Sequence, residues 1–202
     1  MTNNHLLAIN TVSGACSVAI SSNSALLNSK TVLADRGYSE IMIPLIDSVL
    51  KDSQLNVSQL TGFLVCTGPG NYTSLRVAIS ATRGLSLACK KPSCGISLFE
   101  LLSTDKTAVL VLIKGPAEKL YVQKFSNGVE VTPPRLMTMS EIEKTDEFFY
   151  SEAVGYRAAQ VGKLIGSTSY LESTEVSFEK FFSVGIKKLT ENCPRPAPIY
   201  GR

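Results

Sequence analysis

Histidine is almost absent from this chain: His5 is the single one in 202 residues. A metal site built on paired histidines, a Ser-His-Asp triad and a Cys-His dyad are therefore all disfavoured. His5 itself, so close to the start, is expected to face solvent. There is no H-E-x-x-H and no C-x-x-C. The five cysteines (Cys16, Cys66, Cys89, Cys94, Cys193) are odd in number and sit in apolar or strand-like surroundings, which reads as buried free thiols in a reducing compartment. No apolar run approaches the length of a membrane span, and Met1–His5 lack a charged leader region. The expectation is a soluble, cytoplasmic protein with no membrane partner. Charge is also scarce: the net value is +3 and no block of basic residues resembles a nucleic-acid arm. What is plentiful is apolar content, 44%, enough for a core in one domain or two small lobes.

The stretch with most information is Cys66-Thr67-Gly68-Pro69-Gly70-Asn71-Tyr72-Thr73-Ser74-Leu75-Arg76. The run Gly62–Cys66 before it reads as a buried strand. The segment from Thr73 to Lys90 after it has helical apolar spacing, no proline, and Pro92 to stop it. Gly68-Pro69-Gly70 is thus a strand-to-helix turn, with Thr73 or Ser74 able to cap the helix. Ligands of open α/β sheets sit at such turns, and helix-start amides can hold an anion. The plainer reading is that the glycines only supply unusual dihedrals. No Lys-Ser or Lys-Thr follows, so the turn is not a P-loop.

Around this turn the chain predicts three sequential antiparallel strands (Leu6–Asn10, Ala15–Ser21, Ala25–Leu33), then a helix over Tyr38–Lys51 with Pro44 near its first turn. A strand over Pro92–Ile96 and a brief helix, Leu98–Ser103 capped by Ser97, complete a β-β-β-α-β-α-β-α order. A composition break at Thr104-Asp105-Lys106 marks the expected lobe boundary, giving lobes 1–104 and 105–202. In the second half Thr107–Ile113 reads as a central strand. Leu120–Phe125 and Val129–Thr132 form a hairpin about Asn127-Gly128, ended by Pro133-Pro134. Helices are expected over Glu141–Glu147, Arg157–Ile165 and Phe178–Leu189, with Phe148–Tyr150 a short strand or aromatic plug, Gly166–Ser177 a loop and the proline-rich tail extended. There is no fixed-period repeat and no low-complexity segment.

Two helices are too apolar for a single sheet. On Tyr38–Lys51 the apolar residues fill an arc of roughly 200°, about twice the stripe that a helix lying on a sheet needs. On Thr73–Lys90, Arg76, Arg83 and Lys90 recur every seventh residue and most of the remaining circumference is apolar or small. A neighbouring helix of the same chain could cover the surplus; an interface with a partner is the preferred reading. The basic stripe can be a solvated face, or can meet an acidic partner or RNA. On this wheel an Ile43→Arg plus Leu50→Arg change is expected to remove the pairing surface and leave the fold intact.

Catalytic groups are hard to assemble from what remains. Phosphoryl transfer needs a carboxylate near the phosphates, yet Asn10 ends the first strand, and an amide is no base at neutral pH. No acidic pair reads as acid and base. No catalytic residue and no metal ligand is assigned.

Leu7–Thr11 followed by Ala15–Ala19 resembles the opening strands of the bacterial TsaB (YeaZ) family. Gly68-Pro69-Gly70-Asn71-Tyr72-Thr73-Ser74-Leu75-Arg76-Val77 is similar to its Gly-Pro-Gly-Ser-Phe-Thr-Gly-Leu-Arg-Val signature. Gly84–Ala88, Gly95–Leu98 and the closing Pro198–Arg202 continue the likeness, strongly to about residue 100 and thinly beyond. The resemblance implies an α/β, two-lobed actin/Hsp70-like ATPase (ASKHA) fold with a mixed sheet in each lobe. It implies a non-catalytic paralogue that pairs with and stabilises the catalytic TsaD subunit, acting with the ATPase TsaE to complete threonylcarbamoyladenosine on tRNA, which it meets only through the complex. Pairing would use the two helices after the strand meander, here through Ile41, Ile43, Leu45, Ile46, Leu50, Arg76, Ile79, Arg83 and Leu87. Asn10, Thr11, Gly68, Gly70, Asn71 and Thr73 would be vestigial nucleotide-type loops, with ATP or ADP belonging to the complex and no cofactor assigned to this chain. Asn10 stands where the family has Asp, Ser74 where it has Gly, and Lys114-Gly115-Pro116 where it tends to Asp-Ala-Arg. Without TsaD, the same helices are expected to pair two copies of the chain into a homodimer. A stand-alone nucleotide-binding or phosphotransferase protein of the same fold is the alternative; a peptidase, an older label for the superfamily, has no nucleophile and base here.

Overall fold

In the computed structural model, residues 4–12, 14–103, 106–190 and 193–199 are described. Two compact units emerge: Met1–Leu98 with Ser177–Ile199, and Phe99–Val176.

The first unit is a five-stranded mixed sheet of order β3-β2-β1-β4-β5, made of β1 (His5–Asn10), β2 (Ala15–Ser22), β3 (Ala25–Leu33), β4 (Gly62–Cys66) and β5 (Ser93–Ile96). β1, β2 and β3 form an antiparallel meander, while β4 pairs parallel with β1 and β5 parallel with β4. β1 and β4 are apolar without alternation because both faces are covered. Phe63 and Val65 point into a core shared with α1 (Tyr38–Asp52) and α2 (Tyr72–Cys89). Leu64, on the opposite face of β4, meets the helix Phe178–Lys188 at Gly185. Cys16, Cys66 and Cys94 are buried, and burial pushes the Cys16 thiol above its ordinary pKa.

Several expectations need correction here. The division at 104/105 would place Phe178–Lys188 and the tail in the second half, whereas Ser177–Ile199 clusters with the first unit. Phe181 and Phe182 are fully buried there. Local periodicity shows that a helix is amphipathic, not which sheet it covers. His5 is buried, not solvent-facing, because β1 is a central strand that already begins at this residue. Its Nδ1 lies 3.3 Å from the Ser21 carbonyl oxygen, and its own carbonyl accepts from the Thr61 amide. Pro44 falls in the second turn of α1, beyond the first turn where proline is easily tolerated. Residues 13, 104–105 and 200–202, on which parts of the first turn, the lobe boundary and the tail likeness fall, lie outside the described residues.

The second unit has a six-stranded sheet. Its main path runs β11 (Tyr170–Leu171), β10 (Glu152–Gly155), β6 (Val109–Lys114), β7 (Leu120–Ser126), β8 (Val129–Glu130), and β9 (Arg135–Met137) also pairs with β7. The β7–β8 turn places Asn127 at φ 50° and Gly128 at φ 75°, as a two-residue hairpin requires. β9, β10 and β11, two to four residues each, were too short to show a period in the sequence. The helices here are α3 (Leu98–Leu102), which begins in the first unit, α4 (Met139–Glu143) and α5 (Ala158–Leu164), leaving Phe178–Lys188 as α6. Thr138 and Glu141 close a capping box that starts α4 two residues before the expected position. Phe148 is the buried plug, in a short 3₁₀ turn, while Tyr150 is exposed.

Candidate functional site

The glycine turn joins β4 to α2 as expected, and its chemistry is decided by Asn71. Asn71 is the N-cap residue, not Thr73 or Ser74: its side-chain oxygen accepts from the Thr73 amide at 3.0 Å and the Ser74 amide at 3.1 Å. Two of the amides that could have held an anion are thus already satisfied inside the chain. Gly68 needs its freedom, with φ +87° and a would-be Cβ 2.6 Å from a Leu75 methyl. The Ser74 hydroxyl donates to the Thr11 carbonyl at 3.1 Å, and Gly70 lies against Val12, so the loop after β1 and the glycine turn form one cluster. Asn10, Thr11, Gly68, Gly70, Asn71 and Thr73 are brought together in this way. Within the cluster Asn10 spends its side-chain oxygen on the Val12 amide at 3.2 Å, and Thr11 Oγ1 is buried without a hydrogen-bond partner. The tail docks beside it: the Ile199 amide donates to the Thr67 carbonyl, and Gly95 leaves room for Pro196. Among the described residues no group of three metal-ligating side chains occurs.

The residues expected to pair with a partner divide into two sets. Leu45, Ile46, Leu50 and Ile79 are at most 7% exposed, buried where α1 and α2 pack on each other and on the sheet. The over-wide arcs are therefore filled in large part by the same chain, the reading ranked second from the sequence. Replacing Leu50 with Arg would put a charge in that core, so it cannot serve as a surface probe. Ile43 at 54% exposure and Leu87 at 81% remain outside, flanked by exposed Arg76 and Arg83, with Ile41 half-buried. The Arg76 guanidinium lies 3.9 Å from the Tyr72 ring centroid. A groove of about 710 Å³ at the end of α2, rimmed by Arg83, Lys90, Lys91 and Arg195, was not foreseen. Arg195 reaches it only because the tail returns to the first unit, and no local signal announces that.

Residues 30–188 match the family model described as TsaD, tRNA N6-adenosine threonylcarbamoyltransferase. The chain belongs to the TsaD family. Within that family it falls on the TsaB (YeaZ) side. It is 27% identical over 133 residues to the tRNA threonylcarbamoyladenosine biosynthesis protein TsaB of Escherichia coli (strain K12), covering 61% of this chain and 57% of that one. The chain thus spans under three fifths of that relative's length. YeaZ from Pseudomonas aeruginosa superposes with a TM-score of 0.75 at 17% identity, over 98% of this chain and 99% of the other. Component A of (R)-2-hydroxyglutaryl-CoA dehydratase from Acidaminococcus fermentans gives 0.54 at 10% identity, over 91% and 97%. The fold is the actin/Hsp70-like ASKHA fold, with a mixed sheet in each unit. Among the described residues no helix is long and apolar enough to cross a membrane.

Proposed function

We propose that this chain is the non-catalytic subunit of a tRNA threonylcarbamoyladenosine-forming complex, pairing with and stabilising a TsaD-type catalytic subunit alongside a TsaE-type ATPase. The observation that carries this reading is the state of the glycine turn. Asn71 takes two of the leading amides of α2 and Asn10 is tied to its own loop, so these groups of the cluster are engaged within the chain. Ile43 and Leu87 stand exposed on α1 and α2, which pack against each other. In this reading tRNA and ATP or ADP meet the complex, not this chain alone, and the subunit works in the cytoplasm. The exposed members of the pairing set (Ile43, Arg76, Arg83, Leu87) carry the contact, with Ile41 at its edge. Leu45, Ile46, Leu50 and Ile79 shape the surface from beneath.

The test is co-expression with the TsaD-type subunit of the same genome. The wild-type pair is expected to co-elute on a sizing column, and Ile43→Arg with Leu87→Arg to weaken the complex by about a hundredfold or more, two charges having replaced its apolar anchors. Far-UV circular dichroism of the variant should match the wild type. An undiminished complex would refute the surface. ATP turnover by the chain alone, lost on Asn10 or Gly70 substitution, would refute the non-catalytic role.

A further inference from the structure

We propose that the groove at the end of α2 is a binding site for an oligophosphate group, held by Arg83, Lys90, Lys91 and Arg195. The inference goes beyond the pairing reading and concerns this chain alone, since Lys90, Lys91 and Arg195 lie outside the pairing set.

Every residue lining the groove belongs to the first unit. It opens at the far end of the sheet from the glycine turn. That turn follows the last residue of β4, whereas Ser93 in the groove pairs with Phe63 near the start of β4. A volume of about 710 Å³ is that of a small-molecule site. Four exposed cationic side chains line it: Arg83 from the body of α2, Lys90 and Lys91 from the turn into β5, and Arg195 from the tail. No Asp or Glu stands among the described residues of the lining, and none of the four cations has a salt bridge among the described residues. Charge of one sign gathered in a concavity selects an anion that carries several charges close together. Ser93 and Thr190 add hydroxyls that can donate to phosphate oxygens. No aromatic ring lines the groove, so a base has no stacking platform, which favours a phosphate chain over an RNA strand.

Cations at a helix C-terminus also answer its macrodipole, but that effect fades within the last turn. It accounts for Lys90 and Lys91 only. Arg83 lies seven residues, about 10.5 Å, before Lys90 along α2, and Arg195 belongs to no helix. The backbone under the two lysines is fixed before any ligand arrives. The Lys90 amide donates to the Leu87 carbonyl at 3.3 Å, the Lys91 amide to the Ser86 carbonyl at 3.1 Å, and the Ser86 hydroxyl to the Lys91 carbonyl at 2.6 Å. Lys90 ends α2 at φ 53°, in the left-handed conformation that glycine ordinarily supplies there. A lysine held at a glycine position, at a cost in backbone energy, points to a use for its ammonium group.

The experiment is isothermal titration calorimetry of the full chain with sodium tripolyphosphate at low salt. The wild type should bind with a Kd of about 100 μM or tighter. Lys91→Gln with Arg195→Gln should weaken binding at least about tenfold. Lys144→Gln with Lys163→Gln, exposed positions of the second unit, removes the same net charge and should stay within about twofold of the wild type. Lys90→Gly, relieved of its Cβ, should keep the urea midpoint at or above the wild type while binding weakens at least about threefold. Circular dichroism confirms folding of each variant. ATP that binds as tightly as tripolyphosphate, with the same loss in the groove variants, assigns the phosphate chain to a nucleotide; ATP weaker by about tenfold assigns it to a free oligophosphate. Both outcomes sustain the site. Equal losses in the two charge-removed pairs, or Lys90→Gly binding as well as the wild type, would overturn it. Absence of tripolyphosphate binding would overturn it too, and tRNA binding that then falls in Lys91→Gln with Arg195→Gln would make the groove an RNA contact instead. Calorimetry uses this chain alone, so failure here leaves the co-elution test standing, and failed co-elution leaves the oligophosphate site standing.

Discussion

Gly185 and Gly84 lie inside helices, and the same substitution should move stability in opposite directions at the two sites. Replacing an interior helical glycine with alanine is worth about 0.5–1 kcal/mol in backbone entropy and propensity. At Gly84 a Cβ meets nothing within 4 Å, so Gly84→Ala should keep that gain. At Gly185 the new methyl would stand 2.2 Å from Leu64 Cδ1, 2.8 Å from Cδ2 and 3.1 Å from Cγ. Leu64 is fully buried in the interior strand β4, so its whole branch must move, or α6 must lift from the sheet. Overpacking of that kind costs about 1–3 kcal/mol, which outweighs the propensity gain and leaves Gly185→Ala less stable by about 1–2 kcal/mol. Urea titrations followed by far-UV circular dichroism, at low micromolar concentration to avoid association, should show opposite midpoint shifts with unchanged slopes. Adding Leu64→Ala should relieve the crowding, so that the double variant is less destabilised than the sum of the singles by at least about 1 kcal/mol. A Gly185→Ala protein as stable as Gly84→Ala, or a strictly additive double variant, would refute the packing of α6 on β4.

Asn71→Ala removes the acceptor for two helix-start amides and should cost about 1 kcal/mol in the same titrations, whereas Asn71→Asp keeps the acceptor and should stay close to wild type. Equal losses in the two variants would contradict the capping role. Glu141 is held below the ordinary glutamate range, first by the Thr138 amide and then by the Thr138 hydroxyl. Its support of α4 is therefore complete above that range and disappears as pH falls through the lowered folded value. Proton chemical shifts of the Thr138 amide should follow this titration in the wild type and be flat in Glu141→Gln; a flat wild-type curve would rule the capping box out.

Much of the first unit was legible because its signals are local. The order of eight elements to Leu102, the strands Ala25–Leu33 and Gly62–Cys66, and the turn at Gly68-Pro69-Gly70 follow from hydrophobic period and punctuating residues. The cap at Asn71 was within reach of the same reasoning, since Asn, Ser and Thr compete for that role and only backbone conformation separates them. Asn10 at a strand end and the lone histidine were equally plain in the sequence.

What tertiary structure alone decided is which apolar surfaces meet. A helical wheel counts the apolar arc of α1 but cannot say that Leu45, Ile46 and Leu50 meet α2 and the sheet while Ile43 is left outside. Nor can it return α6 across more than a hundred residues to Leu64, or bring Arg195 beside Lys90. Burial is non-directional and proportional to area, so each apolar face specifies that it must be covered and not by what. The pattern of covered faces was written along the chain; the identity of each cover came only from the three-dimensional arrangement.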